Sequence, residues 1–222
     1  MKFIGNMSPL PRKLWTWGLG TGAVTAALMT WADIPIALYF HGYRNTGWAN
    51  FFAAITDFAN GAIWYAVALI GIGIAYLRRK ILPKIPDPVG LAKDARAWLF
   101  MIVSMATSGI LINIIKFSVG RERPRFLFRN DTADFHPFAL RIADCSFPSG
   151  HTQSIWAAML CLSFLFPKVR PVFFLVAILV SASRFIIGAH YLADVVASVF
   201  IAAAITVLWR QWFERDGISV KL

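Results

Sequence analysis

Charged side chains are scarce in this sequence. Asp, Glu, Lys and Arg make up 15% of its 222 residues, against about 25% in a typical soluble domain. Disordered chains combine many charges with few apolar residues, so this composition excludes a disordered chain. Because 58% of the residues are hydrophobic and the mean hydropathy is +0.62, a water-soluble globule is excluded as well. The composition indicates a protein of the lipid bilayer.

Cysteine is also scarce, since Cys145 and Cys161 are the only two in the chain. Cys161 lies within an apolar run, where a bridge to a loop cysteine would be hard to form. The sequence therefore lacks the disulfide framework that holds small secreted domains together, and we expect both thiols to be free.

Six apolar runs approach the length needed to cross a bilayer. A hydrocarbon core about 30 Å thick requires roughly 20 helical residues at a rise of about 1.5 Å each. Lipid offers no hydrogen bonds to the backbone, so runs of this length must be helices. The runs cover residues 14–32, 62–77, 97–119, 151–166, 172–189 and 192–212. We predict an all-α fold, a single domain over residues 1–222 built as an integral membrane bundle of six transmembrane helices.

The ends of the first run leave two alternatives open. Lys13 precedes this run and Thr30-Trp31-Ala32 ends it, so a cleaved signal peptide is the alternative to a membrane helix. The outer loop from Asp33 to Asn60 contains an aromatic-rich stretch. We interpret that stretch as an interfacial helix, with general hydrophobic packing as the alternative.

The 22 basic residues outnumber the 11 acidic ones and are unevenly placed. If the N-terminus is cytoplasmic, fourteen of the 22 lie on the cytoplasmic side, in agreement with the positive-inside rule. Six of these fourteen lie in residues 78–96, which we interpret as a solvated basic linker. We therefore expect both termini in the cytoplasm, and membrane topology explains the net charge of +11 without a nucleic-acid partner. The remaining eight lie on the outer side, mostly near the ends of three apolar runs.

The first polar element on the outer side joins Lys116 to Arg123 and Pro124. Lysine at the end of the third run and arginine seven positions later can converge on one anion, while proline stiffens the chain. By itself, this pattern is more typical of basic residues that meet lipid headgroups or solvent.

The second element is Pro148-Ser149-Gly150-His151, which opens the fourth run. Free amides at a helix start attract an anion, glycine permits a close approach, and the Ser149 hydroxyl can add a hydrogen bond. A phosphate would fit there. The alternative is an ordinary serine N-cap followed by a histidine at the membrane surface.

The third element contains Ser183, Arg184, His190 and Asp194. At 3.6 residues per turn, positions 190 and 194 lie on one helical face, so the carboxylate can accept a hydrogen bond from the imidazole. An unpaired Arg184 guanidinium near the outer membrane face would be costly unless it met an anion or a polar cavity. An Asp–His pair that joins two helices is the structural alternative.

Together, the three elements resemble the signature of the type-2 phosphatidic acid phosphatase superfamily. That signature reads Lys-x6-Arg-Pro, Pro-Ser-Gly-His and Ser-Arg-x5-His-x3-Asp, and every position is matched between Lys116 and Asp194. The superfamily includes lipid phosphatases, sugar phosphatases, phosphotransferases and soluble vanadium haloperoxidases. Six membrane helices argue against the last of these.

The resemblance implies a phosphohistidine mechanism. His190 would be the nucleophile, Asp194 would hold its tautomer, and His151 would serve as general acid and then as general base. The nonbridging phosphate oxygens would be bound by Lys116, Arg123, Ser149, Gly150 and Arg184. The resemblance implies no metal and no other cofactor. Four loop residues keep a metal site as the alternative: Asp131, Asp134, His136 and Asp144.

The long outer loop from Gly120 to Phe147 is rich in further arginines. A solvated loop is the simpler interpretation. The alternative is a second binding site for a phosphate or an anionic headgroup. Its candidate residues are Arg121, Arg125, Arg129 and Arg141.

We therefore predict a lipid phosphatase, a hydrolase of phosphate monoesters or pyrophosphates, with its active site near the outer membrane face. The expected substrates are isoprenyl pyrophosphate, lipid A phosphate, phosphatidylglycerol phosphate and phosphatidate. In a bacterium the site would be periplasmic and the protein would lie in the inner membrane. Lipid substrate and bilayer are the expected partners, with no obligatory protein partner. The alternatives are a lipid phosphotransferase and an anion transporter, although a transporter would carry polar residues through the membrane thickness.

Overall fold

The computed structural model describes residues 10–81 and 88–222 of the chain. Within these ranges the secondary structure is helical, and the only β-type pairings are two isolated bridges, Arg121 with Phe135 and Glu122 with Cys145. The all-α prediction is therefore confirmed. Both cysteines are free and buried, as expected.

The first membrane segment is longer than predicted. Helix α1 (Leu10–Ala27) continues through a π-helical turn (Leu28–Ala32) into α2 (Asp33–His41). The predicted end at residue 32 is wrong, because Asp33 starts no loop. Its side chain is buried and paired inside the protein, which removes the cost of a charge in an apolar helix. The wide turn precedes Pro35, whose nitrogen has no hydrogen to donate.

The remaining helices follow in chain order as α3 (Gly47–Ile55), α4 (Gly61–Ile81), α5 (Pro88–Val119), α6 (Pro124–Asn130), α7 (Gly150–Leu165), α8 (Arg170–Ile186) and α9 (Leu192–Glu214). The aromatic stretch of the outer loop thus forms a helix, α3. Helix α5 begins at Pro88, so the second half of the predicted linker over residues 78–96 is helical rather than irregular. Its prolines Pro83 and Pro86 lie outside the described residues.

Five segments in the described ranges are long and apolar enough to cross a membrane. They are Lys13–His41, Gly61–Arg78, Lys93–Val119, Pro167–Ile186 and Leu192–Glu214. Helix α7 has 16 residues, which gives a length of about 24 Å at 1.5 Å per residue. Since this is shorter than a typical bilayer core, the exact count of six spanning helices is not confirmed.

Helix α7 is the centre of the bundle. It packs against α5, α8 and α9, and most of its side chains are buried. Most of its buried residues are apolar, and the buried Gln153 side chain is hydrogen-bonded, with Nε2 donating to Met105 O at 3.2 Å and to Ser108 Oγ at 2.7 Å. Helix α4 packs on α5, and α1 packs on α9.

The long loop from Gly120 to Phe147 folds back over one end of the bundle, where α5 and α8 end and α7 and α9 begin. Gly120 has a φ of +60°, and a Cβ at this position would lie 1.7 Å from the carbonyl oxygen of His136. Only glycine permits this approach. The approach closes a small hairpin, in which His136 N donates to Gly120 O at 2.9 Å and Glu122 N donates to Asp134 O at 2.9 Å.

Candidate active site

All three sequence elements meet at this end of the bundle. Ser149 N donates to Asp194 O at 3.3 Å, which joins the start of α7 to the first turn of α9. Lys116, near the end of α5, is buried beside the segment that precedes α7. The charges of Arg123, Arg184 and Asp194 all act on its ammonium group. Residues that are far apart in sequence therefore lie close together at this end of the bundle.

The predicted pairing of His190 with Asp194 is present, but its structural basis differs from the prediction. His190 lies outside α9, in the connection that follows α8, so the two residues do not share a helical face. Asp194 is the third residue of α9, and its Oδ2 accepts a hydrogen bond from Tyr191 N at 2.8 Å. This cap places Oδ2 at 3.5 Å from His190 Nδ1. At that distance the contact is a long polar contact rather than a short hydrogen bond, and His190 Nδ1 has no hydrogen-bond partner among the described residues.

The backbone around His190 is fixed by the end of α8. His190 N donates to Arg184 O at 3.0 Å, and Gly188 turns the chain with a φ of +70°. A Cβ on Gly188 would lie 3.0 Å from the Phe128 ring. The turn therefore favours glycine for its dihedral angle, and a larger residue would also have to displace the Phe128 ring slightly.

The imidazole of His190 is almost completely buried, at 2% exposure. Burial lowers its pKa to about 3, although the neighbouring Asp194 carboxylate acts in the opposite direction. The ring is therefore neutral at physiological pH. With Nδ1 directed at a carboxylate, we assign the proton to Nδ1, which leaves the lone pair of Nε2 available as a nucleophile.

Three cationic side chains adjoin the two histidines. Lys116 Nζ donates to Cys145 O at 2.8 Å and to Ser146 O at 3.2 Å, which uses two of its three protons. Arg184 donates through Nη1 to the Thr56 hydroxyl. The Nε atoms of Arg123 and Arg184 are buried and have no hydrogen-bond partner within residues 10–81 and 88–222. A bound phosphate oxygen would satisfy them at little further desolvation cost.

Arg123 is the N-cap residue of α6 and lies outside the membrane-spanning segments. Burial and the nearby charge of Arg125 lower the pKa of the Arg123 guanidinium from its ordinary value. The group stays protonated at neutral pH, because an arginine begins far above it. An anion at this point would relieve the repulsion between the two cations.

Ser149 caps helix α7. Its Oγ accepts from Thr152 N at 3.3 Å and from Thr152 Oγ1 at 3.0 Å, so the ordinary N-cap interpretation is correct as far as it goes. Both contacts use the oxygen as acceptor, and the hydroxyl proton can still be donated to an anion. Gly150 follows, and a Cβ built there would meet no atom within 4 Å. The protein itself places no steric demand for glycine at this position.

The two histidines occupy different environments. His151, the second residue of α7, is exposed, whereas His190 is buried. Partial desolvation, followed by the charges of Arg184, Arg123 and Lys116, lowers the pKa of His151 to about 4. His151 therefore belongs to the same site, and the negative charge of a bound phosphate is needed to raise this pKa before the ring can act as an acid. An exposed imidazole can exchange protons with water and with a departing group. Exposure therefore suits the role of general acid and base better than the role of nucleophile.

The four loop arginines differ in their surroundings. Arg121 is buried, and its Nη1 lies 2.8 Å from Asp33 Oδ2 and 2.9 Å from Asp194 Oδ1. This corrects the expectation that it binds a headgroup, because its guanidinium is directed into the protein. Arg125 is ion-paired with Asp144, and Arg141 Nε lies 3.6 Å from the same carboxylate. Arg129, in the last turn of α6, is exposed.

Two further residues at the site were not found from the sequence. Asp33 contacts Arg121, and Thr56 contacts Ser183 Oγ at 2.9 Å as well as Arg184. A carboxylate at the end of an apolar run is a usable signal for Asp33, because intramembrane charges are usually functional. Thr56 offers no comparable signal.

One group of possible metal ligands occurs in the described residues. Glu122, Asp134 and His136 place their donor atoms within 4.8 Å of one another, so two members of the metal alternative are involved. Glu122 also accepts from Thr132 Oγ1 at 2.8 Å and from Asp134 N at 3.2 Å. These bonds tie the loop hairpin together and give the cluster a structural role without an ion.

An apolar groove of about 380 Å³ runs between α1 and α9. Gly18 and Gly22 open it on one side, and Phe200 lines it on the other. Its upper wall includes Val119, three residues after Lys116, and Phe147, two residues before Ser149. The volume falls within the range of about 300–1,000 Å³ for ligand sites. The groove thus ends beside the segments that carry Lys116 and Ser149.

Comparisons with known proteins agree with this geometry. Residues 97–218 match the family model of the PAP2 superfamily. The lipid A 1-phosphatase of Rhizobium johnstonii is 34% identical over 128 residues, which are 57% of this chain and 52% of that protein. The lipid A 1-phosphatase of Rhizobium etli is 32% identical over 57% of this chain and 55% of its own length. The chain thus spans about half the length of these two relatives.

A solved structure shows the same fold over nearly the whole chain. The crystal structure of a transmembrane PAP2-type phosphatidylglycerolphosphate phosphatase from Bacillus subtilis superposes with a TM-score of 0.66 at 20% sequence identity. The match covers 94% of this chain and 98% of that one. It therefore includes α1 to α4, which precede the matched family segment.

Proposed function

Because the chain belongs to the PAP2 superfamily, we propose that it is a membrane phosphatase that removes a phosphate from a lipid. The observation that carries the proposal is the meeting of a neutral buried histidine, an exposed histidine and three cations at one end of the bundle. Phosphoryl transfer needs these groups: a nucleophile, a proton donor and fixed positive charge around the phosphate.

In the first step, His190 Nε2 attacks phosphorus and the bond from phosphorus to the lipid oxygen breaks. His151 gives a proton to the departing oxygen, which leaves as an alcohol, or as a lipid phosphate from a pyrophosphate. The Asp194 carboxylate beside Nδ1 stabilises the positive charge that develops on the His190 ring. The products are the free lipid and a phosphohistidine.

In the second step, His151, now neutral, takes a proton from water as the water attacks phosphorus. The bond between phosphorus and His190 Nε2 breaks, inorganic phosphate leaves, and both histidines return to their starting states. The nonbridging oxygens contact Lys116, Arg123 and Arg184 together with the Ser149 hydroxyl and the Gly150 amide. These charges do the work that a metal ion performs in other phosphatases, so we propose that the reaction is independent of metal.

Of the four lipids expected from the sequence, we place lipid A phosphate first. The two Rhizobium relatives with about one third identity carry the name lipid A 1-phosphatase. Arg125, Arg129 and Arg141 are exposed on the segment that follows Arg123. Arg125 and Arg141 contact Asp144, and a second anionic group on the substrate could replace that carboxylate. The groove between α1 and α9 would hold one hydrocarbon chain and so favours a lipid over a water-soluble ester.

We place the site on the periplasmic face of a bacterial inner membrane. The distribution of basic residues supports this orientation, and both named relatives come from Rhizobium. A lipid could then enter the groove laterally from the outer leaflet and present its phosphate to His190.

The proposal is tested by presenting purified protein with lipid A, an isoprenyl pyrophosphate, phosphatidylglycerol phosphate and phosphatidate. Released phosphate is measured and the lipid product is identified by mass, with His190→Gln as the inactive control. We expect release from lipid A phosphate in the presence of a chelator. A phosphorylated lipid acceptor without released phosphate would establish phosphotransfer instead, and the absence of both would refute the proposal.

A further inference from the structure

The Arg121 guanidinium lies between two buried carboxylates. Its Nη1 is 2.8 Å from Asp33 Oδ2 and 2.9 Å from Asp194 Oδ1, and the three side chains are at most 4% exposed. The Tyr191 ring covers the guanidinium at 4.1 Å. These residues come from α2, from the loop after α5 and from the start of α9, so the contact ties the first membrane segment to the catalytic end of α9.

One carboxylate would be enough to neutralise Arg121, and Asp194 already supplies it. A second buried carboxylate beside the first adds like charge and desolvation cost. Asp33 must therefore contribute something that Asp194 does not. Its Oδ1 accepts a hydrogen bond from Ala193 N at 3.0 Å, so the one side chain holds both Arg121 and the first turn of α9.

Each oxygen of Asp194 has a separate task. Oδ1 is held by Arg121, while Oδ2 accepts from Tyr191 N and lies beside His190 Nδ1. If Oδ1 lost its partner, Tyr191 N alone would hold the carboxylate, and rotation about that single contact would change the direction of Oδ2 relative to the imidazole. The orientation of the nucleophile thus depends on Arg121, and the place of Arg121 depends on Asp33.

We propose that Asp33 and Arg121 are positioning residues for the catalytic pair of His190 and Asp194. They act through Asp194 and touch neither the phosphate nor the lipid. The inference rests on the proposed phosphatase function for its kinetic test, whereas the orientation of His190 can be measured without substrate.

The kinetic test uses Asp33→Asn. The asparagine oxygen can still accept from Ala193 N, but its NH2 group would then face the Nη1 donor of Arg121, and the guanidinium must shift. We expect kcat to fall by up to about 10²-fold, because small misplacements of a reacting group have effects of that size. KM should hardly change, since neither residue contacts substrate. Arg121→Lys, which keeps the charge, should retain more activity than Arg121→Gln.

The matched control is Arg96→Gln. Arg96 also joins two elements, through Phe213 O and Asp216, but it lies at the other end of the bundle. The Arg96→Gln substitution should lower thermal stability without lowering kcat. If Asp33→Asn does not fold, Arg121→Lys carries the comparison, because it keeps a buried cation between the two carboxylates.

The substrate-free test is the 15N spectrum of the four histidines, in which the His190 signals are those lost in His190→Gln. The wild type should show His190 protonated at Nδ1, and both Asp33→Asn and Arg121→Gln should increase the Nε2-protonated form. An unchanged tautomer together with an unchanged kcat would overturn the inference. A rise in KM without a fall in kcat would assign Arg121 to phosphate binding and would overturn it too.

Discussion

Gly150 is a residue at which the requirements of folding and of phosphate binding differ. A Cβ at this residue would meet no protein atom within 4 Å, and Ser149 caps the helix whether or not glycine follows. Glycine is therefore unnecessary for folding here. It is needed if a phosphate approaches the amide closely, as the start of a helix permits.

Gly150→Ala should accordingly keep the melting temperature of the wild type and lose activity, because the new methyl group occupies space beside the phosphate. Inhibition by vanadate, which adopts the five-coordinate geometry of phosphoryl transfer, should weaken in parallel. Gly73→Ala is the matched control, since a Cβ there is equally unobstructed and Gly73 lies within α4. Full activity in Gly150→Ala would remove this residue from the site.

The buried state of His190 also predicts how stability responds to pH. Its folded pKa of about 3 is below the ordinary histidine value of about 6.5. Between these two values the unfolded chain binds a proton that the folded protein does not, so stability rises with pH and is lost on acidification.

The melting temperature should therefore fall as pH is lowered from about 6.5 toward 3, with a contribution from His190 of at most about 1.4 kcal/mol per pH unit. In His190→Gln this dependence should be shallower. Equal slopes for the two proteins would mean that His190 is protonated in the folded state, which would contradict its role as a neutral nucleophile.

At the scale of elements, the sequence predicted the positions of most helices, but it did not predict the contacts that residues distant in sequence make between them. Apolar runs located α4, α7, α8 and α9 to within a few residues, because lipid requires a helix wherever a long apolar run crosses it. The end of α5 was predicted as well, but the helix begins at Pro88, nine residues before the predicted start. The end of α2 could not be predicted, since the burial of Asp33 depends on Arg121, which is distant in sequence.

The candidate site shows the same division. Motif spacing named residues that the structure brings to one end of the bundle, but it gave a helical face as the reason for the contact between His190 and Asp194. The actual cause is the cap of α9. Arg121 was grouped with the other loop arginines, because a sequence does not reveal which of several neighbouring cations is turned inward.

The groove between α1 and α9 gives a prediction at this scale. Gly22 lines the groove, and a Cβ there would meet no atom within 4 Å, so Gly22→Phe should fill it without disturbing the protein. Activity on a long-chain lipid should fall, while activity on nitrophenyl phosphate should not change. Gly20→Phe is the control, because Gly20 is equally unobstructed and lies outside the groove lining. Equal effects of the two variants on the lipid would refute the hydrocarbon site.

At the scale of the whole molecule, orientation in the membrane decides which leaflet supplies the substrate. A cysteine in place of Leu140, which is 91% exposed in the outer loop, should react with an impermeant thiol reagent in intact cells. A cysteine in place of Lys80, exposed near the end of α4, should react only after the membrane is opened. The native cysteines are buried and give a low background. Reversed labelling would place the site on the cytoplasmic face and leave the chemistry unaffected.

The division of labour between the two histidines is the central claim, and rapid mixing with nitrophenyl phosphate tests it most directly. Nitrophenolate leaves without being protonated, so His151→Ala should still transfer phosphate to His190 but should lack the base for hydrolysis. We predict a burst of nitrophenolate approaching one equivalent, with acid-labile phosphate on the protein, and no burst from His190→Ala. A burst from His190→Ala and none from His151→Ala would contradict the account and exchange the two roles.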